Sequence, residues 1–148
     1  MNLYAIYSTT KIKGVYAVTK LLLHKHLIIR AEVKNPPKNK ALIEKWLSNL
    51  VSSINMVELA PARAIYSDMP GNRGMTADVL LNTSNCVIHT WDEVDPGIFM
   101  MDLYTCGELD PYMDTIFDLL QVFEPVKIEY MYLDRESGLK ILDRGFKQ

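Results

Sequence analysis

A chain of 148 residues, 49% hydrophobic and 23% charged, is long enough to bury one core and too apolar to stay disordered. Two cysteines argue against a disulfide-stapled fold, and the apolar runs Leu21–Leu23 and Leu27–Ile29, split by His24-Lys25-His26, are too short to span a bilayer. Residues 1–40 hold eight Lys/Arg against one acid, Glu32, whereas residues 74–126 hold ten acids and no Lys or Arg; such a stretch attracts cations and repels phosphates, so a small cationic substrate is expected and nucleic acid is not.

The predicted elements begin at residue 25, after an N-terminal extension over 1–24; residues 25–148 read as one domain. Met1–Thr10 lacks the basic start and apolar run of a signal peptide, so a cytoplasmic location is expected, with no membrane partner. Lys25–Val33 is a β-branched and apolar strand, closed by Asn35-Pro36-Pro37, through which no strand or helix continues. From Asn39, an N-cap, apolar residues recur at Leu42, Ile43, Trp46, Leu47, Leu50, Val51 and Ile54. That spacing predicts an amphipathic helix lying on a sheet.

Glu58–Tyr66 reads as a second strand, with Pro61 marking it as an edge or a bulge, and Met69–Gly74 as a loop rich in turn formers. Ala77–Asn82, Cys86–Trp91 and Ile98–Thr105 read as three more strands, the last two joined in a hairpin at Asp95-Pro96-Gly97. Asp110-Pro111 opens a second helix with Ile116, Leu119, Leu120 and Phe123 on its buried face. Val126–Leu133 is the last strand expected. This order predicts an α+β fold, a two-layer sandwich of a mainly antiparallel sheet with two helices on one face.

Within 23 residues the segment from Ser84 to Cys106 offers a hydroxyl, the His89 imidazole and a thiol. These groups can attack, shuttle protons and protonate a carbanion. Ser84 stands where one strand ends and the next begins, and its hydroxyl can attack the carbonyl of Thr83. The amide would become an ester, β-elimination would leave dehydroalanine, and hydrolysis would give a pyruvoyl group on a chain cut between Thr83 and Ser84. His89 belongs to the residue type suited to those proton transfers. Taken singly, Ser84 reads equally as a turn serine, His89 as a hydrogen-bonded core histidine, and Cys106 as a buried thiol. Cys86, in phase with Ile88, reads as core.

These residues are ordered as in the S-adenosylmethionine decarboxylase family. Gly74-Met75-Thr76-Ala77-Asp78-Val79-Leu80-Leu81 resembles the family's Gly-Val-Ser-Gly strand, and Ile88-His89-Thr90-Trp91 its Ile-His-Thr-Trp. Thr105-Cys106-Gly107 resembles its Thr-Cys-Gly turn; Glu93 and Asp102 match, and His26-Leu27 resembles the pair opening its first strand. The resemblance implies that Ser84 is the self-cleaving residue and becomes the pyruvoyl cofactor, to which a substrate amine attaches as a Schiff base. It implies that His89 assists processing, that Cys106 is the proton donor, and that the chain forms a homodimer. A thiol of ordinary pKa, about 8.5, can supply the proton that a carbanion needs. Glu93 and Asp102 are the candidate substrate carboxylates; Asp92 and Glu93 can equally stand solvated. No metal site is expected.

The sequence departs from the family at Thr83, where Glu is usual, at Asn85, where bacterial members have His, and at Asp92, where Pro is usual. The interval from His89 to Cys106 is about two residues longer, enlarging the hairpin. The function implied is decarboxylation of S-adenosylmethionine for polyamine (spermidine) synthesis. Two alternatives stay open: a pyruvoyl-dependent arginine or ornithine decarboxylase, and a non-processing relative that only binds a ligand or partner.

Overall fold

The computed structural model describes residues 7–12, 15–20 and 23–148, with side-chain surroundings from residue 23 onward. Of the expected extension over 1–24, residues 1–6, 13, 14, 21 and 22 lie outside the described residues. β1 (Tyr7–Ile12) and β2 (Val15–Lys20) pair as an antiparallel hairpin that forms its own two-stranded sheet.

The main sheet has seven antiparallel strands in the order β4-β5-β6-β7-β3-β8-β9. Its strands are β3 (Lys25–Val33), β4 (Arg63–Ser67), β5 (Gly74–Leu81), β6 (Ser84–Trp91), β7 (Gly97–Thr105), β8 (Pro125–Asp134) and β9 (Lys140–Lys147). Two helices, α1 (Lys40–Ser53) and α2 (Met113–Leu120), complete it. This is the α+β architecture that the element order implied.

The period-two pattern of the central strands explains the layering. In β3, β6 and β7 every second residue is buried, including Leu27, Ile29, Cys86, Ile88, Phe99, Met101 and Leu103. These side chains pack with α1 residues Ile43, Trp46, Leu47, Leu50 and Val51 in one core. The Asn39 side chain accepts from the N–H of Leu42 and starts α1. Trp46 lies 6.0 Å from the ring of Phe99 and 5.3 Å from that of Phe123, and its indole N–H donates to the Leu119 carbonyl at 2.9 Å, tying α1 to α2. The alternate residues, among them Ile28, Val87, His89, Met100 and Tyr104, lie on the other sheet face and are half-buried.

Several boundaries differ from the sequence-based expectation. β4 starts at Arg63, not Glu58, because Pro61 has no N–H to give a ladder; Glu58 makes only an isolated bridge to Leu81. β5 starts at Gly74, earlier than Ala77, since glycine lets its backbone approach β6 closely. A Cβ at Gly74 would fall 1.8 Å from the Thr90 carbonyl oxygen. The helix expected from Asp110 is a 3-10 turn over Asp110–Tyr112 before α2 begins, and Gln121–Phe123 is a second such turn. β8 is not the last strand: β9 follows it along the sheet edge, its side chains exposed on both faces, so no apolar alternation announced it.

Candidate active site

The β5–β6 hairpin is as tight as an antiparallel connection allows. Leu81 pairs with Ser84, leaving Asn82 and Thr83 as a two-residue turn. Thr83 has φ of 57°, a left-handed conformation for which glycine or asparagine is the usual occupant of such a turn. A branched Cβ there costs about 1–2 kcal/mol. The peptide expected to break is therefore held on its acyl side by a strained residue, whose hydroxyl donates to the Asn82 carbonyl at 2.7 Å.

Ser84 opens β6 on the helix-facing side of the sheet and is 8% exposed. Its Oγ accepts the backbone N–H of Cys106 at 2.9 Å. The Cys106 thiol donates to the Asn82 carbonyl at 3.5 Å. The sheet register brings them together: Asn85 pairs with Tyr104, so Ser84 falls opposite Thr105, and Cys106 is the next residue beyond it at that end of the sheet. Thr105, fully buried, donates its hydroxyl to the Gly107 carbonyl at 2.8 Å and fixes the turn that carries the thiol. Cys86, as expected, is core: it is fully buried, and burial pushes its thiol pKa far up.

His89 stands elsewhere. It lies five residues along the same strand as Ser84, an odd step that turns its side chain to the opposite face, roughly 17 Å away along the strand. There its Nδ1 pairs with the Thr76 hydroxyl at 3.1 Å. Thr76 is the functional candidate that sequence reading passed over; it was seen only as part of a strand, and its pairing opposite His89 needs the β5–β6 register.

The candidate carboxylates are also placed apart. Glu93 follows β6 at the end away from Ser84, and accepts the N–H groups of Gly71 at 3.0 Å and Arg73 at 3.3 Å. Asp102 is on the open sheet face, 3.1 Å from His26 Nε2. Asp92 has a side chain only 1% exposed. It accepts from the Tyr66 hydroxyl and from Arg73 Nε at 2.8 Å, with Lys38 Nζ 3.7 Å away. Burial alone would raise its pKa, but those hydrogen bonds and charges outweigh it and hold the carboxyl below the usual range. Where proline was expected, Asp92 thus pins the Met69–Gly74 loop to the end of β6. A cavity of about 240 Å³ lined by Gly71, Trp91, Glu93, Val94, Ile98 and Met100 adjoins this loop.

Comparison with known proteins bears on what this hairpin does. A family model described as S-adenosylmethionine decarboxylase matches residues 25–136. The chain is 34% identical over 111 residues to an arginine decarboxylase proenzyme of Aeropyrum pernix, covering 72% of this chain and 81% of that one. It is 38% identical over 93 residues to an S-adenosylmethionine decarboxylase proenzyme of Methanococcus maripaludis, covering 63% and 71%. In fold it is similar to the crystal structure of the adenosylmethionine decarboxylase of Aquifex aeolicus, with a TM-score of 0.62 at 21% identity over 84% of this chain and 98% of that one. Both relatives are named as proenzymes, proteins that become active by a change in their own chain. Since the family match spans six of the seven strands of the main sheet, both helices and the whole Ser84–Cys106 segment, this chain belongs to the S-adenosylmethionine decarboxylase family.

Proposed function

We propose that the chain cuts itself between Thr83 and Ser84 and then decarboxylates S-adenosylmethionine at the pyruvoyl group so formed. The observation that carries this reading is the grip of the Cys106 N–H on Ser84 Oγ, directly after a strained acyl donor. The N–H engages a lone pair of Oγ and leaves the hydroxyl proton for a base. Oγ bonds to the Thr83 carbonyl carbon and the Thr83–Ser84 amide C–N bond breaks, giving an ester. Loss of the Ser84 Cα proton expels the Thr83 carboxylate, and water then releases ammonia from the new N-terminus.

The residues present suit such a group. Ser84 is shielded and directly follows a strained acyl donor, while a thiol lies on the neighbouring turn after β7 whose N–H bonds its Oγ. Once formed, the pyruvoyl carbonyl supplies an acceptor for the electron pair left when carbon dioxide departs from an attached amine. Cys106 Sγ holds the proton that returns to the substrate carbon. The acids between residues 78 and 124, with no Lys or Arg among them, favour a sulfonium substrate electrostatically.

His89 enters this chemistry through a second copy of the chain. Its face carries Ile28, Val87, Met100 and Trp91, half-buried, with Ile65 and Leu80 exposed. A sheet face of that composition is ordinarily covered by another layer. A homodimer stacked head to tail on this face would carry the partner's imidazole to the end of the sheet where Ser84 opens β6, a distance of roughly 17 Å along the strand that His89 cannot cover within its own chain. The test is complementation. Ser84→Ala alone should stay intact at 16.9 kDa, and His89→Ala alone should process slowly. Co-expression should restore cleavage of the His89→Ala chain, and its remaining whole would refute the shared site.

A second reading keeps the cofactor and changes the substrate. It is favoured by the similarity to an arginine decarboxylase proenzyme and by Thr83 and Asn85 flanking the serine. Carbon dioxide release from S-adenosylmethionine, arginine and ornithine, each supplied alone to cleaved protein, decides between them.

A further inference from the structure

The turn that carries Cys106 is anchored from two strands away. Tyr132 lies on β8, which β3 separates from β7, and is 1% exposed. Its hydroxyl donates to Glu108 Oε1 at 2.8 Å and lies 3.4 Å from Asp110 Oδ2. Glu108 Oε1 also accepts the N–H of Leu109, a fully buried residue, at 3.2 Å. Beneath this pair stands Lys25, in register with both Thr105 and Asp134. Lys25 is 7% exposed, and its Nζ is 3.8 Å from Asp134. A lysine and a tyrosine so buried are uncommon without a role for their polar ends.

The two carboxyls are shifted in opposite directions. Asp110 is raised above the usual carboxylate range by its hydrogen bond to Glu108, then by burial and by the Glu108 charge. Burial pushes Glu108 upward too, but the bonds from Asp110 and Tyr132 and the charge of Lys25 bring it below its ordinary value. Of the two, Asp110 is thus the weaker acid and Glu108 the stronger.

We propose that Tyr132, acting through Glu108, is a positioning residue for Cys106. By holding the side chain two residues beyond the thiol, it keeps the Cys106 N–H on Ser84 Oγ and the thiol beside the Asn82 carbonyl. This rests on the reading of Ser84 as the self-cleaving residue. Neither Tyr132 nor Glu108 hydrogen-bonds to Ser84, so the effect is assigned to the Cys106-Gly107 turn between them. That turn is already closed on one side by the Thr105 hydroxyl. Releasing the Glu108 end removes the anchor on its other side.

The experiment compares Tyr132→Phe, Glu108→Ala and Glu108→Gln with the parent in three measurements. They are the half-time of chain cleavage by denaturing mass spectrometry, kcat and KM of the cleaved protein, and the thermal midpoint. Tyr132→Phe and Glu108→Ala should cleave about tenfold more slowly or worse, and lower kcat with KM little changed, as loss of one aligning hydrogen bond implies. Glu108→Gln keeps an oxygen acceptor for the tyrosine and should recover most of the cleavage rate. A merely structural role would lower the melting point and leave half-time and kcat within about twofold of the parent; that result overturns the proposal. If Tyr132→Phe fails to fold, the contrast between Glu108→Ala and Glu108→Gln decides. An intact parent chain removes the Ser84 reading and the positioning role with it, whereas a cleaving parent with unaffected variants removes the positioning role alone.

Discussion

Thr83 offers a direct test of whether backbone strain drives self-cleavage. At φ of 57° its conformation costs about 1–2 kcal/mol relative to an ordinary region. Breaking the Thr83–Ser84 peptide frees that residue from the hairpin. If all the strain is released in the transition state, the cleavage rate gains roughly 5–30-fold, at 1.36 kcal/mol per tenfold. Thr83→Gly removes the strain, because glycine occupies this region without penalty. It also removes the methyl branch that hinders attack on the carbonyl, an effect of opposite sign. Thr83→Ser separates the two, since serine keeps the hydroxyl bonded to the Asn82 carbonyl and the cost of positive φ but loses the branch. Thr83→Ser should therefore cleave at least as fast as the parent, and Thr83→Gly about tenfold more slowly than Thr83→Ser. The assay is the fraction of intact chain against time by denaturing mass spectrometry. Cleavage of Thr83→Gly at or above the Thr83→Ser rate would refute the strain argument.

Three further outcomes follow from the geometry. Asp92→Asn should destabilise the chain by about 1–3 kcal/mol at neutral pH, the worth of hydrogen bonds to a charged group, as read by denaturant titration. Because the folded pKa of Asp92 is depressed, its stabilisation is complete above the ordinary carboxylate value of about 3.9 and fades as pH falls through the lower folded value; the gap between parent and variant should shrink in that acid window. Gly74→Ala places a methyl 1.8 Å from the Thr90 carbonyl oxygen, a backbone atom that cannot yield. It should cost about 3 kcal/mol or more, and a melting point equal to the parent's would contradict the β5–β6 approach described. Leu50→Ala, at a fully buried position of α1, should cost about 2–5 kcal/mol in the same titration while leaving the hairpin chemistry intact in the folded fraction.

The parts of the fold that were legible in the sequence are those where burial imposes a period. α1 announced itself through Ile43, Trp46, Leu47, Leu50 and Val51, all of which are buried, and β3, β6 and β7 through alternation. β9 was invisible because an edge strand exposed on both faces has no pattern to impose. The 3-10 turns flanking α2 were hidden for another reason: Asp110-Pro111 is as good a start for one helix type as for the other. At the site, residue types suggested the chemistry proposed, and the β6–β7 register accounts for Ser84 lying beside the Cys106 turn. Tyr132 gave no signal, since its partners Glu108 and Asp110 are reached across β3, a distance in space that no local motif encodes.

The separation of His89 from Ser84 was present in the sequence as an odd interval, yet it acquires meaning only from what lies on each face. The helix-facing side is closed by α1 and α2. On the other side three ion pairs are formed within the plane: Arg63 with Asp78 at 2.9 Å, Arg30 with Glu32 at 3.1 Å, Lys127 with Glu129 at 2.6 Å. Covering unpaired charges costs several kcal/mol per ion, whereas pairs formed in advance reduce that penalty. Between them run Ile28, Val87, Met100 and Trp91, apolar residues whose burial favours association. The same face, which carries no helix layer among the described residues, thus combines paired charge, apolar area and the His89 imidazole to which the proposed processing assigns a role. A second copy of the chain meets all three conditions at once, which a small ligand bound to this face would not.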